Sequence, residues 1–552
     1  MTNDKIKRTN CIVLILFGGS VLLRFLLGSY YPRTINCYPD ELLYLSSASG
    51  LWNQHRVLIQ NMPSTFEKIG YSLLIAPAFA FQSIKLRGAI IALINALLVS
   101  LGIFPVYGLA KRMLTEQRHC WFCIVLYLIS PSLTYSMTYM SEVAYLPLAL
   151  CTLYVVYRFF EEVDIKKRIA FVALFAALIL IDYTVKSVAL GLLVAFALEV
   201  IKELLQSEKR RNRWMGFLIL ILGVIGSVAV LRMDIIEWDM HVMGDKVLYV
   251  VFGIAFFVLI IILAFCVLPV LLPAICYQDL EHNARTFYRY LLWTVFITAV
   301  ITAAMIYTTE DYPSLTPRAH VRYVEFAFVP FVILVMQLLE CKKLEISKKR
   351  MAGVLGVWAV VFFVVHRGFS GQTMDQTMLF YWQLFADEGK TFMPWKVKIL
   401  SGVVVLVVVA LAMLYRRKNK LFERILTIGL IVMCLGNSAI SCYIQYRTHT
   451  HTKEEAMETE QLLQFVREHP KEQFLVVESQ QKDELIDTFL LDCANVRTGL
   501  GPVPTQKEDT FQKPKGVMYV ITDVAAEDIM MENTVVAEYP ALGFILYKGE
   551  MK

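Results

Sequence analysis

Charged residues are scarce in this sequence of 552 residues: Asp, Glu, Lys and Arg make up only 18% of it, while hydrophobic residues make up 57%. Soluble domains are typically about 25% charged and about 45–50% apolar. The balance therefore excludes a disordered chain, a collagen and a string of soluble domains. The eleven cysteines lie mostly in or beside apolar runs, which excludes a disulfide-rich scaffold. The composition predicts a polytopic membrane protein.

Apolar runs of membrane-spanning length recur along the first 443 residues. A spanning helix needs about 20 mainly apolar residues. We predict thirteen crossings, at 11–31, 88–110, 119–135, 143–160, 168–184, 187–204, 213–231, 247–273, 290–307, 323–340, 351–366, 397–415 and 425–443. The predicted fold class is an all-α polytopic membrane bundle of about 13 transmembrane helices. The stretch 69–84 is short and contains Pro77, so we predict a juxtamembrane or partly inserted helix there.

Basic residues fall in alternate loops between these runs. Clusters occur at Lys111-Arg112, Lys166 to Arg168, Lys209 to Arg211, Lys342-Lys343 and Arg416 to Lys418. Cytoplasmic loops carry an excess of Lys and Arg. We therefore predict a multi-pass protein of the cell membrane with a cytoplasmic N-terminus and a long first outer loop at 32–87.

The chain changes character after residue 443. Residues 444–552 contain 19 Asp and Glu against 11 Lys and Arg. A helix pattern at 453–469 precedes strand patterns at 473–479, 516–523 and 535–549, the last turning at Pro540–Gly543. Two domains are predicted: a transmembrane domain at 1–443 and a small extracytoplasmic α/β domain at 444–552. The overall positive charge follows from the membrane topology and indicates no nucleic-acid partner.

The remaining ionisable residues gather at the predicted outer face. They are Asp40, Glu41 and Tyr44 in the first outer loop, Glu142 in the second, Lys186 between the fifth and sixth spans, and Arg318, His320, Arg322 and Tyr323 before the tenth. Ionisable groups in a membrane protein indicate a functional site. Arg and Lys bind phosphate, and an ionised Asp accepts a proton from a hydroxyl nucleophile. A substrate with a phosphate and an apolar tail fits this set.

Residue type alone leaves a structural alternative open for each group. The alternatives are a solvated helix end for Asp40 and Glu41, a helix-start charge after Ser141 for Glu142, snorkelling for Lys186, headgroup anchoring for Arg318 and Arg322, and a surface position for His320. Arg24, inside the first span, either snorkels outward or neutralises a buried anion.

The order of these pieces resembles the GT-C superfamily of integral-membrane glycosyltransferases. An acidic pair follows the first span, Ser141-Glu142 forms a short second outer loop, Lys186 follows the fifth span and Arg322-Tyr323 opens a later one. Protein O-mannosyltransferases and lipid A aminoarabinose transferases are nearest in plan, and the resemblance covers roughly residues 10–340. It implies transfer of a sugar from a polyprenyl-phosphate donor to an acceptor hydroxyl on the extracytoplasmic face, with inversion.

The resemblance also implies a role for each site residue. Asp40 matches the catalytic general base, Glu41 and Tyr44 shape its pocket, Glu142 matches the second acidic position, and Lys186 with the Arg318–Tyr323 stretch holds the donor phosphate. The second loop has one acid where metal-dependent members have a D-x-D-like pair, which argues against a required divalent metal. No other cofactor is implied.

One departure leaves the substrates open. Lys68-Ile69-Gly70-Tyr71 stands near the place of the Lys-Pro-Pro signature of the aminoarabinose enzymes, which argues against assigning their donor or acceptor. The expected partners are membrane lipids, a lipid-linked sugar donor and an acceptor that is a lipid, polymer or protein.

Two other function classes compete with the enzyme. A transporter or flippase of a polyprenyl-linked or other amphipathic substrate would carry charges near the bilayer midplane, often within inverted repeats. No internal repeat is visible, and the acids lie at one face. The third class is a non-catalytic scaffold whose outer domain binds partners. This hypothesis does not explain why Asp40, Glu142 and Lys186 occur at the same predicted face.

Overall fold

The structure is a computed structural model. It describes residues 3–30, 39–59, 62–63, 68–206, 251–307 apart from 252, 256, 259 and 263, 321–341, 349, 352–353, 356, 419–448, 453–477, 496–499, 518–522 and 530–551. The α-helices are α1 (Asn3–Tyr30), α2 (Pro39–Gln54), α3 (Gly70–Ile75), α4 (Ile84–Leu101), α5 (Ile103–Met113), α6 (Gln117–Ile129), α7 (Glu142–Glu161), α8 (Ile165–Val185), α9 (Leu190–Gln206), α10 (Leu268–Ile275), α11 (His282–Tyr307), α12 (Phe328–Glu340), α13 (Asn419–Thr448) and α14 (Lys453–Glu468).

Seven helical segments within the described residues are long and apolar enough to cross a membrane. They are Thr9–Ser29, Ile84–Met113, Gln117–Met137, Glu142–Glu161, Ile165–Val185, His282–Ala304 and Lys420–Tyr443. Each coincides with a predicted crossing, which confirms the polytopic helical fold and a membrane protein.

The other predicted crossings have different outcomes. The runs 213–231 and 397–415, and nearly all of 351–366, lie outside the described residues. The run 187–204 overlaps α9, which has 17 residues and continues to Gln206, and the run 323–340 contains α12, of 13 residues. The described part of 247–273 forms a helix at Gly253–Ile262 and the start of α10. The total of thirteen stays a prediction.

The chain divides into two compact units. The first comprises Met1–Leu23, Ala96–Ser136 and Glu142–Tyr443, and the second comprises Arg24–Asn95, Met137–Ser141 and Ile444–Lys552. In the first unit α7 packs against α5, α8, α9 and α11. A helix that is apolar all round lies in a protein core or in a membrane, and α7 is buried within the protein over most of its length.

A buried histidine joins three helices of the first unit. His119 on α6 is 3% exposed; its Nδ1 lies 2.9 Å from Glu340 Oε1 on α12, and its Nε2 lies 3.1 Å from Glu423 Oε1 on α13. Glu340 also accepts hydrogen bonds from the backbone N–H groups of Thr115, at 2.7 Å, and Glu116, at 2.9 Å. These contacts fix the beginning of α6 against the end of α12 and the beginning of α13.

We expect His119→Ala to lower the free energy of unfolding by about 2–4 kcal/mol, because it leaves two partly buried carboxylates without their shared partner. Thermal unfolding of the purified protein measures this. His282→Ala is the matched control, since His282 is exposed at the start of α11. An equal change in both variants would contradict a structural role for His119.

The second unit contains a five-stranded sheet. Its strands are β3 (Phe474–Val477), β4 (Val496–Gly499), β5 (Met518–Thr522), β6 (Met530–Tyr539) and β7 (Phe544–Met551), and a separate pair near α2 comprises β1 (Leu58–Ile59) and β2 (Met62–Pro63). The order is β4-β3-β5-β7-β6; β3 is parallel to β4 and β5, and β7 is antiparallel to β5 and β6. Leu462, Leu463 and Val466 of α14 pack on this sheet. The predicted C-terminal α/β fold is confirmed.

The stretch predicted as a short helix at 69–84 contains α3 and a 3-10 turn at Ala76–Ala80. It belongs to the second unit with α14, and Arg467 Nη2 donates to the carbonyl oxygen of Gln82 at 2.9 Å. The predicted topology likewise puts residues 82 and 467 on one side of the membrane.

Candidate functional site

A buried carboxylate in the first unit contacts two cationic side chains. Glu142, 2% exposed, is the first residue of α7. Lys186 Nζ donates a hydrogen bond to Glu142 Oε1, and Arg322 Nε lies 3.1 Å from the same oxygen. Lys186 is 7% exposed, and 10% of the Arg322 side chain is exposed. Glu142 is therefore a helix-start residue, as the structural alternative expects, but it is buried in an ion pair. The buried pairing of Lys186 does not fit the snorkelling alternative.

The position of Lys186 follows from an interruption between two helices. α8 ends at Val185, Lys186 adopts an extended conformation, and a 3-10 turn at Ser187–Ala189 leads into α9. The Lys186 backbone N–H donates to the carbonyl oxygen of Asp182 at 2.7 Å. A lysine between two apolar runs with almost no loop is thus held at the junction of two helices.

Tyr323 lies beside both cations. Lys186 Nζ lies 4.5 Å and Arg322 Cζ lies 5.3 Å from the centroid of its ring. An aromatic face attracts cations at such distances. Arg322 and Tyr323 belong to a 3-10 turn, Val321–Tyr323, that precedes α12. Glu142, Lys186, Arg322 and Tyr323 are hereafter called the ion cluster.

A second buried acid lies in the same segment as Arg322 and was not among the predicted site residues. Glu325 is 5% exposed, and the hydroxyl of Tyr135 donates to its Oε2. Tyr135 lies in a 3-10 stretch at Pro131–Met137. The sequence signal that could have identified Glu325 is its position three residues after Arg322, in the same short segment.

The acidic pair of the first outer loop begins α2 in the second unit. Asp40 and Glu41 lie in the first helical turn, where negative charge is stabilised by the helix dipole. Glu41 is 2% exposed and its Oε1 accepts the backbone N–H of Tyr139 at 2.9 Å. Asp40 is half-buried. A solvated helix end therefore does not describe Glu41.

Tyr44 attaches α2 to the segment before α7. Its hydroxyl donates to Ser141 Oγ at 2.8 Å, and its carbonyl oxygen accepts the Ser72 hydroxyl at 2.9 Å. The ring of Tyr71 packs edge-on against that of Tyr44 at 5.5 Å. Ser141 is followed in the chain by Glu142. Tyr44 is thus held in place by these contacts, and its role in shaping a pocket stays a prediction.

The remaining predicted residues have separate outcomes. Arg318 and His320 lie outside the described residues, so their roles stay predictions. Arg24 is fully buried, so its guanidinium does not reach solvent. Among the residues that the structure describes, no three His, Cys, Asp or Glu side chains are placed to hold a metal ion.

No protein-family model and no curated protein sequence matches the chain. Two solved structures of ArnT from Cupriavidus metallidurans do share its fold. The apo structure covers 98% of both chains at 13% identity with a TM-score of 0.51. The structure bound to undecaprenyl phosphate covers 97% of both chains at 12% identity with a TM-score of 0.54. The chain therefore has the fold of these ArnT structures, which is the fold that the resemblance found in its sequence implies.

Proposed function

We propose that this protein is a membrane glycosyltransferase that transfers a sugar from a polyprenyl-phosphate donor to an acceptor hydroxyl on the extracytoplasmic face. The ion cluster carries the proposal, because a buried ammonium and guanidinium beside a carboxylate are suited to a phosphate ligand. The shared fold supports it, since one of the two ArnT structures is bound to undecaprenyl phosphate.

In the proposed reaction the acceptor hydroxyl oxygen attacks the anomeric carbon of the donor sugar. Its proton passes to the carboxylate of Asp40, and the bond between the anomeric carbon and the phosphate oxygen breaks. The electron pair leaves with the polyprenyl phosphate, whose charge Lys186 and Arg322 stabilise; one such electrostatic contact is worth about 10²–10³ in rate. Attack opposite the leaving group inverts the anomeric configuration.

The transporter alternative fits the ion cluster less well. Transporters bind substrate near the bilayer midplane, often on broken helices. Here Glu142 begins α7, Lys186 follows the end of α8 and Arg322 precedes α12, so the charged groups lie at helix ends. Movement of a labelled polyprenyl lipid without formation of a glycosidic bond would favour the transporter.

We expect purified protein in lipid nanodiscs to bind undecaprenyl phosphate, and Lys186→Met to weaken this binding at least tenfold because the phosphate loses a charge-assisted contact. Fluorescence-detected displacement of a labelled polyprenyl phosphate measures the Kd. Lys85→Met is the matched control, since Lys85 is exposed at the start of α4. Equal affinity of the two variants would overturn the phosphate role of Lys186.

A further inference from the structure

A large polar cleft lies within the second unit, formed by residues of α2, α4 and α14 and of the segment 79–83. Its volume is about 980 Å³, within the upper range of ligand pockets. Polar lining residues include Ser49, Asn53, Gln54, Gln82, Ser83 and Gln464. None of them belongs to the ion cluster or to the acidic pair of α2.

The charges that line the cleft cancel. Arg87 and Arg467 contribute two positive charges, and Glu460 and Glu468 contribute two negative charges. A site built for a phosphate or a polyanion carries an excess of basic residues. The balance here favours a ligand without net charge. Amide side chains donate and accept at the same time, as sugar hydroxyls also do, so the lining matches a hydroxyl-rich ligand.

Several polar groups of the cleft are already oriented. Asn53 Nδ2 donates to Ser49 Oγ at 3.2 Å, and Gln464 Nε2 donates to Glu468 Oε1 at 2.9 Å. Such contacts reduce the ordering cost of binding. Apolar surface is also present, from the partly buried Ile84 at the start of α4. Pyranose rings present a C–H face together with hydroxyl edges, and therefore need both kinds of contact.

The guanidinium group of Arg87 contacts the segment 79–83 at one side of the cleft. Its Cζ lies 4.6 Å from the centroid of the Phe79 ring, and its Nη2 donates to the carbonyl oxygen of Phe81 at 3.2 Å. Arg467 likewise donates to the carbonyl oxygen of Gln82. Both arginines thus bind backbone carbonyl groups of the segment 79–83 on this side of the cleft.

We propose that this cleft binds a neutral glycan and that this glycan is the acceptor of the transfer reaction. The assignment of the glycan as the acceptor rests on the proposed function. An uncharged oligosaccharide matches the charge balance, the amide lining and the volume together. The proposal selects a carbohydrate polymer from the acceptor classes that the sequence leaves open.

The test measures binding of the full-length protein in nanodiscs to an array of neutral and acidic oligosaccharides of known composition. We expect one or more neutral oligosaccharides to bind, and Gln464→Ala and Asn53→Ala each to weaken that binding at least tenfold. Gln461→Ala is the matched control, since Gln461 is exposed on α14 but does not line the cleft. Its affinity should stay within twofold of the unchanged protein.

Three results would overturn the glycan site: no oligosaccharide binds, only acidic ones bind, or the cleft variants bind as well as Gln461→Ala does. Undecaprenyl phosphate binding is measured in the same preparations and should be unchanged in Gln464→Ala and Asn53→Ala. Glycan binding without lipid-phosphate binding would refute the proposed function while leaving the cleft assignment in place. Lipid-phosphate binding without glycan binding would refute the cleft alone.

Discussion

Asp40→Asn is expected to reduce sugar transfer by about 10²–10⁴-fold, the usual contribution of a general base. The substitution keeps the size of the side chain and removes its ability to take the acceptor proton. Comparison of glycolipids and cell-surface polymers with and without the gene, by mass spectrometry, identifies the product. The rate of its formation is then measured with protein reconstituted in liposomes.

The free energy of unfolding distinguishes loss of the general base from damage to the structure. Asp40 is half-buried in the first turn of α2, so loss of its interaction with the helix dipole costs about 0.3–1 kcal/mol. Such a loss cannot explain a fall in rate of three orders of magnitude. Asp164→Asn is the matched control, because Asp164 caps α8 by accepting the Lys166 N–H at 3.0 Å and Asn also caps helices. Near-normal transfer by Asp40→Asn would remove Asp40 as the base.

Local signals in the sequence predicted much of the fold. The apolar runs correctly predicted seven of the spans, and the turn at Pro540–Gly543 correctly predicted that β6 pairs with β7. β4 was missed, because Val496–Gly499 contains Arg497 and Thr498 and has no apolar alternation. The bounds of α9 and α12 also differ from those of the predicted runs 187–204 and 323–340, because hydropathy records composition and not where a helix begins.

The candidate site was predictable only where a residue was conspicuous in its own segment. Lys186 stood out between two apolar runs, and it contacts Glu142 across 44 positions of sequence. Glu325 did not stand out, since its partner Tyr135 is 190 positions away. A buried acid is recognised by what it contacts, and such long-range contacts have no local signature.

Glu142→Gln is expected to lower the free energy of unfolding by about 3–5 kcal/mol, because it leaves two buried cations without their counter-charge. The double variant Glu142→Gln/Lys186→Met removes one of these cations and should regain part of the loss. The coupling energy between the two positions should therefore be about 1–3 kcal/mol. Thermal unfolding of the four proteins of this cycle measures it.

A parallel cycle on Arg168 and Glu203 provides the control. These side chains form a bidentate pair at 2.8 and 2.9 Å, but the Glu203 side chain is 45% exposed. Exposed pairs contribute about 0–1 kcal/mol, so this coupling should be small. If the coupling energy between the Glu142 and Lys186 substitutions is as small as that between Arg168 and Glu203, the carboxylate of Glu142 does not hold the ammonium group of Lys186 in place. The ion cluster would then lack the fixed geometry that recognition of a donor phosphate requires.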